Sequence, residues 1–215
     1  MIDQATNVVW RLDIWAQQAV RDTSWQASPL LHQAASAANW WGGTGVIVFG
    51  ALLWFGGRAL KRSTAARIGL RGVESLALAS AISGITKGLA GRARPFVTPG
   101  EPWHWEFNHG WSDAHFFSMP SGHVTSTTAF AVGVLLATRQ WPAKTRLFFA
   151  GPLLLSAATV ALARMYSNQH WLTDIVVAAL LGSAVAIAVA RVHAAAQRAG
   201  YERVMLGNIT ARDPA

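Results

Sequence analysis

IVVAALLGSAVAIAVA, residues 175–190, runs for 16 positions without a charged side chain. A helix made of this stretch has no hydrophilic face to offer water, so it is enclosed by apolar surroundings on all sides. Four comparable stretches precede it. Residues 38–57 carry no charge over 20 positions, residues 121–138 over 18 and residues 147–163 over 17. Residues 67–89 form the weakest run, because Arg71 and Glu74 interrupt it and only 75–86 is clean. Crossing about 30 Å of hydrocarbon takes about 20 helical residues. The three shorter runs therefore reach the far interface only with the help of their flanks. None alternates strictly as a barrel strand would, and helices satisfy their own backbone in lipid. The expected fold is all-α: an integral membrane bundle of about five transmembrane helices with N-terminal interfacial amphipathic helices.

Composition agrees. Only 13% of residues are charged against 52% hydrophobic, which is too little charge for a soluble globular chain. The net charge of +8 sits in the segments between apolar runs and forms no stripe beside exposed aromatics. Nucleic acid is therefore not an expected partner. The absence of cysteine excludes disulfides and thiolate metal sites. No cleavable signal peptide is expected, because the first strongly apolar stretch begins near residue 38 behind a mixed polar segment. Val8, Leu12, Trp15 and Ala19 recur at helical spacing, predicting an amphipathic helix on the interface. A second short helix is expected over 29–38. The chain thus divides into N-terminal interfacial helices (1–37), a transmembrane core (38–195) and a cytoplasmic tail (196–215). No feature specifies an oligomeric state.

Lysine and arginine set the orientation. Arg58, Lys61, Arg62, Arg67 and Arg71 follow the first run; Arg139, Lys144 and Arg146 follow the third; Arg191, Arg198 and Arg203 follow the last. These three regions alternate correctly to share the cytoplasmic side. The opposite side then receives the segments 87–120 and 164–174. Trp40, Trp41, Trp103, Trp105, Trp111 and Trp171 gather there as an expected aromatic belt at headgroup depth.

Those two segments hold the chemistry. Lys87, Arg94 and Pro95 read K-x6-R-P; Pro120, Ser121, Gly122 and His123 read P-S-G-H; Arg164, His170 and Asp174 read R-x5-H-x3-D. Charged groups at the rim of a membrane segment are costly enough to be functional by default. Arg94 and Arg164 offer planar forks and Lys87 a point charge for phosphoryl oxygens. If the helix persists, Lys87 and Arg94 lie two turns apart, with Pro95 ending it unless Gly91 breaks it earlier. Ser121 is placed to cap a helix whose free N–H groups form an anion site, and Gly122 admits a phosphate close to the backbone. His123, on the first turn, is placed to donate a proton. His170 and Asp174, four apart, would share a helical face. The carboxylate then orients the imidazole for attack.

The three motifs resemble those of the type 2 phosphatidic acid phosphatase superfamily, which also includes bacterial acid phosphatases and vanadium haloperoxidases. One position departs: the family serine before the arginine is Ala163, implying at most a small loss of phosphate hydrogen bonding. The resemblance implies that His170 attacks phosphorus to form a phosphohistidine and that Asp174 orients it. His123 would protonate the leaving alcohol and later activate water, while Lys87, Arg94, Arg164, Ser121 and Gly122 hold the phosphoryl oxygens. No metal or other cofactor is implied. The expected activity is hydrolysis of a lipid phosphate or diphosphate, at a site on the periplasmic or exterior face of a bacterial inner membrane. A lipid-to-lipid phosphotransferase and a catalytically silent scaffold are the alternatives.

Taken singly, each of these residues has an ordinary role: Lys87 and Arg94 as snorkelling cations, His123 and His170 as solvated caps. Only their shared face and spacing overturn that. In the loop 96–119, His104, Glu106, His109, Asp113 and His115 do not have zinc-motif spacing, and the loop reads as an interfacial lid. Glu74 is expected to be neutralised by a basic neighbour. Gly182, Ser183 and Ala184 read as close helix packing.

Overall fold

Every one of the apolar runs is helical. The computed structural model describes residues 8–195 and 199–206. Its helices are α1 (Val8–Val20), α2 (Thr23–Gln26), α3 (Pro29–Ala59), α4 (Ser63–Ala90), α5 (Gly122–Ala137), α6 (Ala143–Tyr166), α7 (Leu172–Ala194) and α8 (Ala199–Leu206). The α4–α5 connection adds two short 3-10 turns, His109–Trp111 and Ala114–Phe116. Of the expected tail 196–215, residues 196–198 and 207–215 lie outside the described residues.

Among the described residues, four helices, α3, α4, α6 and α7, are long and apolar enough to cross a membrane. At about 1.5 Å per residue they measure about 46, 42, 36 and 35 Å. The expected fifth span, α5, has 16 residues, about 24 Å, and falls short of that length. Its position explains the difference. Ten of its residues are buried, with α4, α6 and α7 packed around it, so protein encloses it and bilayer thickness does not set its length. Its hydroxyls are satisfied by nearby carbonyls: Thr125 Oγ1 donates to Ser121 O, Thr127 Oγ1 to His123 O, and Ser126 Oγ to Gly42 O across to α3. Polar side chains bonded in this way are tolerated inside an apolar bundle.

The outer helices point bulky apolar groups away from the protein. Leu52, Phe148, Leu155, Leu162 and Leu180 are each more than 60% exposed, a surface suited to lipid rather than water. Gly182 brings α7 close to α5: a Cβ there would lie 2.6 Å from Thr125 O and 3.0 Å from Ala129 N. This is the close packing the small residues of α7 anticipated.

One expectation for the N-terminal region changes. Residues 29–38 are not a separate helix; they are the first turns of α3, with Ser28 as N-cap and Pro29 opening the helix. The apolar count missed them because they include His32, Gln33 and Ser36. In α1, the stripe of Val8, Leu12 and Trp15 faces outward, while Asp13 and Ala16 are buried against the bundle. At the far end of the bundle, Glu74 is met by the His193 ring and by the Tyr201 hydroxyl.

Candidate active site

The site begins where α4 stops. Gly91 takes a left-handed conformation (φ 57°) and its N–H donates to Lys87 O. A Cβ there would lie 1.7 Å from Glu106 O, so only glycine fits. The helix therefore takes the earlier break that the sequence left open at Gly91, and Arg94 is not two turns above Lys87. It returns to Lys87 through a loop instead.

The following loop, 96–119, holds Lys87 and Arg94 with its backbone. Lys87 is 6% exposed. Its Nζ donates to Phe117 O (2.8 Å) and Ser118 O (3.2 Å), which leaves one of three ammonium protons for a ligand. Arg94 Nε donates to Ala114 O at 3.0 Å, and its Nη1 donates to the Gln169 side-chain oxygen. Arg164, in the last turn of α6, donates to Asn39 Oδ1 at 3.2 Å and approaches the same Gln169 oxygen at 3.5 Å. Gln169 thus draws Arg94 and Arg164 to one point. The loop is a packed wall of the site, while its histidines pair outward with acids: His104 with Glu106 at 3.1 Å and His115 with Asp113 at 2.8 Å.

Ser121 is the N-cap of α5, in extended conformation, but its hydroxyl makes no capping bond. Its N–H donates to Asp174 O at 3.2 Å, tying the start of α5 to the start of α7. His123 follows on the first turn. It lines a cavity of about 250 Å³ together with Lys87, Gly122, Phe117 and Ser83. Across from it, α3 has a π-type turn at Trp41–Gly45, where a Cβ on Gly43 would lie 3.1 Å from His123 Nε2. Glycine at this point leaves room for the imidazole.

His170 and Asp174 meet, though not on one helical face. Helix α7 starts at Leu172 with Trp171 as N-cap, so His170 lies in the turn before it. Asp174, on the first turn, folds back: its Oδ2 accepts the Trp171 N–H at 2.9 Å and the Ser118 hydroxyl at 2.6 Å, and lies 3.5 Å from His170 Nδ1. Burial pushes the His170 imidazole down to about 3; Asp174 opposes this, and the charges of Lys87 and Arg164 reinforce it. The ring is therefore neutral, with Nδ1 toward the carboxylate.

Among the described residues, five buried side-chain polar atoms have no hydrogen-bond partner, and three belong to the motifs: Ser121 Oγ, Arg164 Nε and His170 Nδ1. His170 Nδ1 faces the Asp174 carboxylate at 3.5 Å; native interiors avoid such unmet atoms, so Ser121 Oγ and Arg164 Nε are the two left to receive a ligand. Trp171 does not join the aromatic belt. It is 1% exposed, and its indole donates to Ala93 O. Ala163 packs in an apolar contact with Ala35 and Tyr166.

Three residues escaped the motif reading. Arg92, inside the K-x6-R-P spacer, is 1% exposed and pairs with Asp174 Oδ1 at 2.5 Å and Asp13 Oδ2 at 2.7 Å. The Thr173 hydroxyl accepts from Arg92 and donates to Asp13. The only sequence signal was a third arginine beside Gly91. Nothing in the α1 pattern distinguished Asp13 from a surface carboxylate.

Apolar spanning helices around a buried pocket of cations, histidines and a carboxylate define the class of integral membrane phosphatases. The PAP2 superfamily profile matches residues 69–198, more than half of the chain, and the protein belongs to that superfamily. Asp13 lies outside the matched stretch. Among solved structures, the chain resembles the transmembrane PAP2-type phosphatidylglycerolphosphate phosphatase from Bacillus subtilis, with TM-score 0.66 and 19% identity over 88% of each chain. It also resembles Aquifex aeolicus LpxE, with TM-score 0.56 and 17% identity over 89% of this chain and 99% of that one. At these identities the likeness is one of fold. No curated protein sequence matches the chain.

Proposed function

We propose that the protein hydrolyses a lipid phosphate or diphosphate without a metal, through a phosphohistidine on His170, on the non-cytoplasmic face of a bacterial inner membrane. Phosphoryl transfer is catalysed chiefly by positioning and by charge stabilisation of the equatorial oxygens. Lys87, Arg94, Arg164, the Ser121 hydroxyl and the first N–H groups of α5 supply that charge. His170 Nε2 attacks phosphorus while Asp174 holds the Nδ1 proton. His123 gives its proton to the departing lipid oxygen. It then takes one from the water that cleaves the phosphorus–nitrogen bond, releasing phosphate and restoring both histidines.

The observation that carries the lipid assignment is the shape of the cavity at His123. Its α4 lining is Lys87, Gly84, Ser83 and Ser80, successive turns on one helix face, so it descends from the phosphate groups along a spanning helix toward Ile47, which is 51% exposed. A phosphate seated among the cations leaves its tail along that path.

The test is phosphate release by the purified protein on a panel: phosphatidic acid, phosphatidylglycerol phosphate, a polyprenyl diphosphate, a lipid A phosphate and a soluble phosphomonoester. Turnover is expected on at least one lipid in preference to the soluble ester, unaffected by chelator and inhibited by vanadate. His170→Ala should lower kcat by at least about 10³-fold, the scale seen when a covalent nucleophile is removed. Turnover of His170→Ala near wild type, or its loss on chelation, would end the proposal.

A further inference from the structure

Helix α7 carries Asp174 on its first turn but has a cap that cannot accept a hydrogen bond. Its N-cap is Trp171, and an indole is a donor only. The backbone N–H of Thr173 finds its acceptor elsewhere in the chain: Asp13 Oδ1, on α1, at 2.8 Å. Asp13 Oδ2 accepts from the Thr173 hydroxyl at 2.7 Å and from Arg92 Nη2 at 2.7 Å. A carboxylate from another helix thus performs the work of an N-cap, where the helix dipole favours negative charge.

Arg92 joins this carboxylate to the catalytic one. All five of its N–H donors have acceptors: Pro102 O from Nε (2.8 Å) and from Nη2 (2.6 Å), Thr173 Oγ1 (2.7 Å) and Asp174 Oδ1 (2.5 Å) from Nη1, and Asp13 from Nη2. The rings of Trp105 and Trp171 flank its guanidinium at 5.1 and 5.9 Å. Asp13 and Asp174 are both 0% exposed. As on the outer helices, the bulky apolar groups of α1 face outward, and the face it turns to the bundle carries Asp13 and Ala16.

We propose that Asp13 is a positioning residue for phosphoryl transfer: with Arg92 and Thr173 it fixes the carboxylate of Asp174 and, through it, the imidazole of His170. The inference rests on the phosphatase reading above. Asp13→Asn keeps the shape but removes the charge that shares Arg92 with Asp174, so Arg92 draws on Asp174 alone.

The experiment measures steady-state kinetics, the phosphohistidine burst and vanadate affinity for the wild type, Asp13→Asn and Thr173→Val, using the lipid phosphate with the highest wild-type turnover. Groups that orient a catalytic side chain from behind typically matter by about 10–100-fold, so Asp13→Asn should lower kcat by that factor and weaken vanadate binding at least about tenfold. KM should stay within about threefold, because the phosphate-gripping cations are untouched. The burst rate per site should fall while its amplitude is kept. Thr173→Val is milder, with an expected loss of several-fold in kcat, and carries the test if Asp13→Asn does not fold. A reduced burst amplitude at unchanged rate per site would show a merely structural role and overturn the inference. A wild type that neither turns over any lipid of the panel nor binds vanadate would overturn the phosphatase reading, and this inference with it.

Discussion

His170 shows how a single side chain is prepared by its surroundings. An imidazole attacks only when unprotonated, and burial holds this one at about 3 instead of the ordinary 6.5. Histidine-selective NMR across a pH series should therefore show His170 neutral, protonated on Nδ1, at every pH above about 4; a midpoint near 6.5 would contradict the burial argument. The same shift bears on stability. Between about 3 and 6.5 the unfolded chain binds a proton at this position that the folded chain does not, so this contribution lowers stability as pH falls through that window. Above 6.5 both states are neutral and the penalty is absent. The types and spacings of Lys87, Arg94, Ser121, His123, Arg164, His170 and Asp174 were legible in the sequence. The local geometry of two pairs was not. His170 with Asp174 read as helical neighbours, yet a helix start at Leu172 separates them; for Lys87 with Arg94 the sequence left a continuous helix and a break at Gly91 open, and the left-handed Gly91 decides for the break. They meet through loop carbonyls and a carboxylate that folds back on its own helix terminus.

At the scale of elements, the proposed reaction requires α5 and α7 to approach closely, since one carries His123 and the other Asp174. Gly182 sets that approach. Gly182→Val would place methyl groups against the Thr125 carbonyl, and overpacking of this kind costs about 1–3 kcal/mol. The thermal midpoint in detergent should fall, and kcat should fall beyond what the loss of folded protein explains, because the two helix starts are linked through Ser121 N–H and Asp174 O. A Gly182→Val protein with wild-type kcat and midpoint would show that the contact is slack. Hydropathy also marked α5 as a span. It could not show that α5 is the enclosed helix, because a fully apolar helix reads the same whether lipid or protein surrounds it.

For the whole molecule, sidedness has a direct test. The chain has no cysteine, so single introduced cysteines report without background. Phe107, 77% exposed in the α4–α5 loop, and Leu60, 74% exposed between α3 and α4, lie at opposite ends of α4. A membrane-impermeant maleimide applied to intact spheroplasts should label Phe107→Cys and leave Leu60→Cys untouched until the membrane is opened. The reverse pattern would place the site on the cytoplasmic face and refute the positive-inside assignment. Sequence alone determined the helical class, the family and the set of residues proposed to hold phosphate, because apolar runs and motif spacing are local and survive without knowledge of contacts. Only the tertiary structure decided that α5 sits at the centre, that the 96–119 loop grips the motif cations, and that Asp13 reaches Arg92 and Thr173 from another helix. Those are pairings between distant parts of the chain. No periodicity encodes which buried carboxylate will share a guanidinium, since only packing brings the two together.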